Sequence, residues 1–182
     1  LNIEQVKSIL SRYDSISGSP MGEMLINEIE KVPGRFLETP LLVGLLYKTY
    51  GYNQSIADKI TVFYSEIFNA LYKGHDLTKS GYVREKTSGL DIDRFKKLLS
   101  AFSVIYIAKS SVVTNDYDAF LSMIEEAKNL CNLETITPRD FLNDLLLAVP
   151  LLTRDGVTLK FMHRTIAEYF AAEYVVNNGD KK

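Results

Sequence analysis

One stretch departs from the pattern of the whole chain. Through Val157, Leu159 and Phe161 the residues alternate with Thr158, Lys160 and Met162, the period of a strand with one buried and one wet face. Asp155-Gly156 precedes them as a strong turn pair, so Leu151 to Phe161 predicts a β-hairpin. Everywhere else the apolar residues recur at three- and four-residue spacing, which predicts helices.

Four helices are expected in the first half. The first covers 2–13, with Ile3, Val6, Ile9 and Leu10 on one face. Asp14 to Pro20 reads as a break rich in Ser and Gly. The second covers about 20–31, with Pro20 at its first position, and Val32-Pro33-Gly34 ends it. The third runs from Thr39 or Pro40 to Tyr50, capped by Thr39 and stopped by Gly51. It is apolar nearly all round, the mark of a helix buried on several sides. The fourth covers about 55–73, with Gly74 as terminator. His75 to Gly89 is polar and reads as a linker, and His75 as a plain loop residue.

The second half reads as helices of about 92–109, 117–130 and 138–148, then the hairpin, then a helix of about 163–177. Thr137-Pro138 opens the third of these with a cap and a first-turn proline. Three helices, a hairpin and a helix make a winged-helix arrangement. The expected fold is therefore mainly α: a helical domain over 1–88, a winged-helix domain over 89–178 and a tail over 179–182.

Composition excludes several classes. The 182 residues are 46% hydrophobic and 24% charged, with a net charge of -2. That is not the basic profile of a typical nucleic-acid binder. The single Cys131 excludes an internal disulfide, and two histidines argue against a histidine metal cage. No apolar run reaches the roughly 18 residues of a membrane span, and no signal peptide is visible. A cytoplasmic protein is expected. The Leu at the start and Gly-Asp-Lys-Lys at the end suggest a piece of a longer chain. No GxxxxGK[ST] loop, GxGxxG turn or serine-hydrolase signature occurs. Glu28 with Glu30, and Glu125 with Glu126, read as solvated surface. No catalytic or metal-binding residue is assigned.

A winged helix can bind DNA through its third helix. Here that helix offers Arg139 and Asn143 beside Asp140 and Asp144, and acids oppose phosphates. The hairpin adds Arg154 next to Asp155. A DNA-binding regulator and a helical protein-protein adaptor are the alternative readings. Taken alone, His163 is a capping or packing residue at a strand–helix junction, and Pro40 an ordinary first-turn proline.

Two motifs add a family. Glu38-Thr39-Pro40-Leu41-Leu42-Val43-Gly44-Leu45-Leu46-Tyr47 resembles the "NPLLL-x-LL" helix of NACHT-type STAND NTPases, with Thr39 where Asn is usual. Lys160 to Ala172 (KFMHRTIAEYFAA) resembles the "F-x-H-x-x-x-x-E-Y-x-A-A" signature that closes their winged-helix domain. The resemblance implies a regulatory module, not an enzyme by itself. An upstream P-loop domain in cis would bind ATP or ADP, and this region would close over the nucleotide. Pro40 would lie against the base, and His163 would reach the diphosphate of ADP. Exchange for ATP would release the winged helix and permit homo-oligomerisation. Such proteins act in signal transduction, innate immunity and phage defence. Glu168 is expected to be structural, and Tyr169 and Phe170 to be core.

Overall fold

The structure, a computed structural model, describes residues 1–57, 59–73, 85–109 and 114–179. His75 and most of the expected linker lie outside them. The chain divides into two compact units, Leu1–Val83 and Arg84–Lys182. The molecule is mainly helical, with one small antiparallel sheet among the described residues.

The first unit holds α1 (Ile3–Ser17), α2 (Met21–Asn27), α3 (Pro40–Asn53) and α4 (Ile60–Tyr72), with short 3-10 turns at Ile29–Lys31 and Gly34–Leu37. α1 runs on into the expected break, to Ser17, and ends within it at Gly18, whose φ of 68° closes the last turn. The reason is Asp14. Its carboxylate accepts from the Gly22 amide (2.7 Å), the Glu23 amide (2.9 Å) and the Tyr47 hydroxyl (2.9 Å). It therefore caps α2 from a neighbouring helix, since Pro20, the residue before α2, offers no side-chain cap. α3 is buried nearly all round, as its composition demands, but it continues past Gly51 to Asn53. Its burial outweighs the modest cost of one helical glycine. α4 starts at Ile60, later than its apolar periodicity suggests. The rings of Phe36 and Phe63 stack at 3.9 Å in the middle of this core.

The second unit is built on α5 (Ile92–Lys109), which packs against α6 (Tyr117–Cys131) and α8 (Arg164–Asn178). Between them come α7 (Pro138–Asn143), β1 (Leu152–Asp155) and β2 (Thr158–Phe161). Aromatic rings tie these layers together. Phe95 meets Phe141 at 4.8 Å, Phe102 meets Phe120 at 5.6 Å, and Phe102 and Tyr106 meet Phe161 at 5.8 and 5.0 Å. Each of the buried phenylalanine rings is worth about 1.5–3 kcal/mol over an exposed one.

The hairpin turns one residue later than expected. Leu152 pairs with Phe161 and Asp155 with Thr158, so the loop is Gly156-Val157. Gly156 takes a positive φ of 62° and Val157 does not, the pattern of a turn with glycine at its first central position. Val157 is consequently at the tip and 76% exposed, while Leu159 and Phe161 face the core.

The third helix also departs from expectation. α7 stops at Asn143 and the chain continues as a π turn over Asp144–Ala148. Its wide rung runs from the Val149 amide to the Asp144 carbonyl, 2.7 Å. Asp144 is not on an outer face. It is buried, and its carboxylate accepts from the Thr87 amide (2.7 Å), the Thr87 hydroxyl (3.0 Å) and the Ser88 amide (2.9 Å). Thr87 and Ser88 thus belong with the second unit.

Candidate functional site

His163 is fixed from both sides. Phe161, two residues before it, is locked among Phe102 and Tyr106. Ile166 and Ala167, just after it, are buried. The Met162 amide donates to the Leu151 carbonyl at 2.9 Å, holding the strand end against the segment before β1. His163 keeps an extended backbone and forms the N-cap of α8. Its ring takes the capping role that Ser, Thr, Asp or Asn usually play.

The ring's orientation follows from two bonds. Nδ1 accepts from the Thr165 amide at 3.4 Å and lies 2.7 Å from the Thr165 hydroxyl. Both contacts fix the ring through Nδ1, and the residue is half-buried. The arrangement holds an imidazole at the N-terminus of a 15-residue helix, where a helix favours negative charge. Thr165 was not singled out from sequence. A hydroxyl residue two positions after a capping histidine was the available signal.

The rest of the second motif is structural. The Arg164 guanidinium pairs with Glu168 at 2.8 Å, one helical turn apart and well exposed. Such a pair contributes about 0.3–0.5 kcal/mol. Tyr169 and Phe170 are buried and meet edge to face at 5.0 Å. They are core, as expected.

Pro40 lies in the first unit. It is the first residue of α3, and Thr39 caps that helix by accepting from the Leu42 amide at 3.3 Å. Pro40 itself is exposed, whereas Leu42, Val43, Leu45 and Leu46 behind it are buried. Its ring is thus an apolar surface held rigidly at a helix start. Pro40 and His163 belong to different units, each anchored within its own core.

Other features carry less chemistry. A cleft of about 170 Å³ between α5 and α8 is lined by Asp93, Lys96, Lys97 and Glu173, charges of both signs, and the Lys96–Glu173 ion pair spans it at 2.7 Å. Of the third-helix face, α7 supplies only six α-helical residues, with Arg139 its single base and Asp140 bonded to the Thr137 hydroxyl. That is about 9 Å of helix, a short element to lay in a DNA groove. Cys131 is buried, and burial pushes its thiol up, with Lys97 acting the other way. Among the described residues no helix is long and apolar enough to cross a membrane, and no group of three His, Cys, Asp or Glu could hold a metal.

No protein-family model, no curated protein and no solved structure matches this chain.

Proposed function

We propose that the chain is the helical and winged-helix regulatory module of a NACHT-like signalling ATPase. In this reading an upstream P-loop domain binds ATP or ADP in cis, and the module closes over ADP to hold the protein off. The observation that carries the reading is the presentation of His163. Its motif position falls on a ring fixed through Nδ1 at a helix N-terminus. A helix N-terminus favours a phosphate nearby, and an imidazole N–H can donate to one of its oxygens. The exposed ring of Pro40, backed by the buried face of α3, suits contact with a flat base.

One hydrogen bond to a phosphate contributes about 1.5–3 kcal/mol. That is enough to bias a two-state hinge without locking it. Loss of the diphosphate contact on ATP exchange would free the winged helix and allow the parent to oligomerise.

The test is ADP release from a protein carrying both the P-loop domain and this module. His163→Ala is expected to speed release by roughly tenfold or more and to favour the active state. His163→Asn, which keeps a cap and a donor, is expected to retain most of the contact. Equal release from all three proteins would remove His163 from the nucleotide site. The chain of 182 residues alone is expected neither to hydrolyse nor to bind ATP tightly, and ATPase activity in it would overturn the reading.

A further inference from the structure

The segment leading into α5 is held by one carboxylate. Asp144, 2% exposed, receives the Thr87 amide, the Thr87 hydroxyl and the Ser88 amide on its two oxygens. The Thr87 hydroxyl also lies 3.0 Å from the Asp140 carbonyl. Two features of the same segment oppose this closure. The Ser88 hydroxyl is buried with no hydrogen-bond partner among the described residues, so closing strips its water without a bond from them in return. Gly89 sits at a φ of 62°, a conformation that only the most flexible residue adopts freely and that costs chain entropy to fix.

We propose that residues 86–89 form a clasp, closed by Asp144 and opposed by Ser88, which opens while the rest of the second unit stays folded. None of the four residues contributes a buried apolar side chain to the core. Opening stops at Leu90, which is 6% exposed, and at Asp91, whose carboxylate caps α5 through the Arg94 amide at 2.8 Å. The clasp lies beside the boundary between the two units, at Val83 and Arg84. Four freed residues span up to about 14 Å of extended chain. Opening therefore frees these four residues without disturbing α5.

The two opposing groups give variants with opposite signs. Amide hydrogen exchange would be followed by NMR on the labelled 182-residue chain. Asp144→Asn replaces an acceptor with a group that offers N–H to N–H, and is expected to speed exchange at Thr87 and Ser88 roughly tenfold or more. Ser88→Ala removes the dry hydroxyl and is expected to slow exchange at the same two amides by a few-fold. The core amides of α5, such as Phe102, are expected to change by less than about twofold in both. Should Asp144→Asn fail to fold, Thr87→Val removes one bond from the exposed side and is expected to speed exchange more mildly. The proposal is overturned if neither Asp144→Asn nor Thr87→Val alters the segment. It is also overturned if α5 loses protection by the same factor, or if Ser88→Ala speeds exchange.

Discussion

Gly22 shows how tightly single residues are constrained here. A Cβ added to it would lie 2.6 Å from the Leu10 carbonyl oxygen and 2.9 Å from Asp14 Oδ2. The first neighbour is backbone and cannot swing aside. Gly22→Ala should therefore destabilise the first unit by about 1–3 kcal/mol, read as a lower urea midpoint, despite alanine's better helix propensity. A midpoint equal to or above wild type would show that α1 and α2 separate easily. Asp116 gives a prediction in pH. The Ala119 amide (2.9 Å), then the Thr114 hydroxyl (2.7 Å), hold its carboxyl below the usual aspartate range. The folded value is the lower one. Its contribution is therefore present above the unfolded value, about pH 3.9, and is lost as pH falls through the folded value. Urea melts between about pH 5 and 2.5 should show wild type losing stability more steeply than Asp116→Asn. Parallel curves would mean the cap is unimportant. His163 and Asp144 divide the question of what a sequence reveals. The strand–helix junction at His163 is legible because its signals, the alternation before it and the apolar stripe after it, are local. Asp144 was not, because its partners Thr87 and Ser88 lie 57 and 56 positions away, beyond any periodicity.

At the scale of elements, local signals succeeded where cap and stripe agreed. α5, α6 and α8 fall within a residue or so of their periodic spans, because apolar stripes fill their lengths, and Asp91, Asp116 and His163 cap their starts in the structure. Where tertiary contacts act, the bounds move. Asp14 has the residue type of a break, since acids and serines favour turns, yet it serves the next helix while its own continues to Ser17. Gly51 has the residue type of a stop, yet α3 is buried enough to carry it. The hairpin slipped by one residue because cross-strand pairing, not the dipeptide, sets the register. α7 is so short that its cap matters. Thr137 accepts from the Asp140 amide at 3.2 Å and donates to that residue's carboxylate at 2.6 Å. Thr137→Ala should cost the second unit about 1 kcal/mol, visible as a shift in thermal midpoint. No shift would place the stability of α7 wholly in Phe141 and Leu142.

For the whole molecule, each unit has a core of its own. The second collects Phe95, Phe102, Phe120, Phe141, Phe161 and Phe170, and its residues form one contiguous stretch of chain. Residues 84–182 produced alone should fold cooperatively, with helical circular dichroism and one melting transition. A fragment that is helical but melts without cooperativity would show that this core is incomplete. Cys131 reports on the same core. Being buried, it should resist alkylation in the native protein and react readily in denaturant.

The wide turn at Asp144–Ala148 has a last consequence, for chain length. Its rung joins Asp144 to Val149, five residues on, where an ordinary helix would join residues four apart. Removing one residue, Leu147, which is 58% exposed, would bring Val149 into ordinary α-helical register with Asp144. Among the described residues, the helical scaffold of the second unit thus has a place where a codon can be lost and the backbone ladder still closes. A deletion in the middle of α5 or α8 would instead rotate every following core residue by about 100°. The position of tolerated deletions along this chain is thereby a map of its helical geometry.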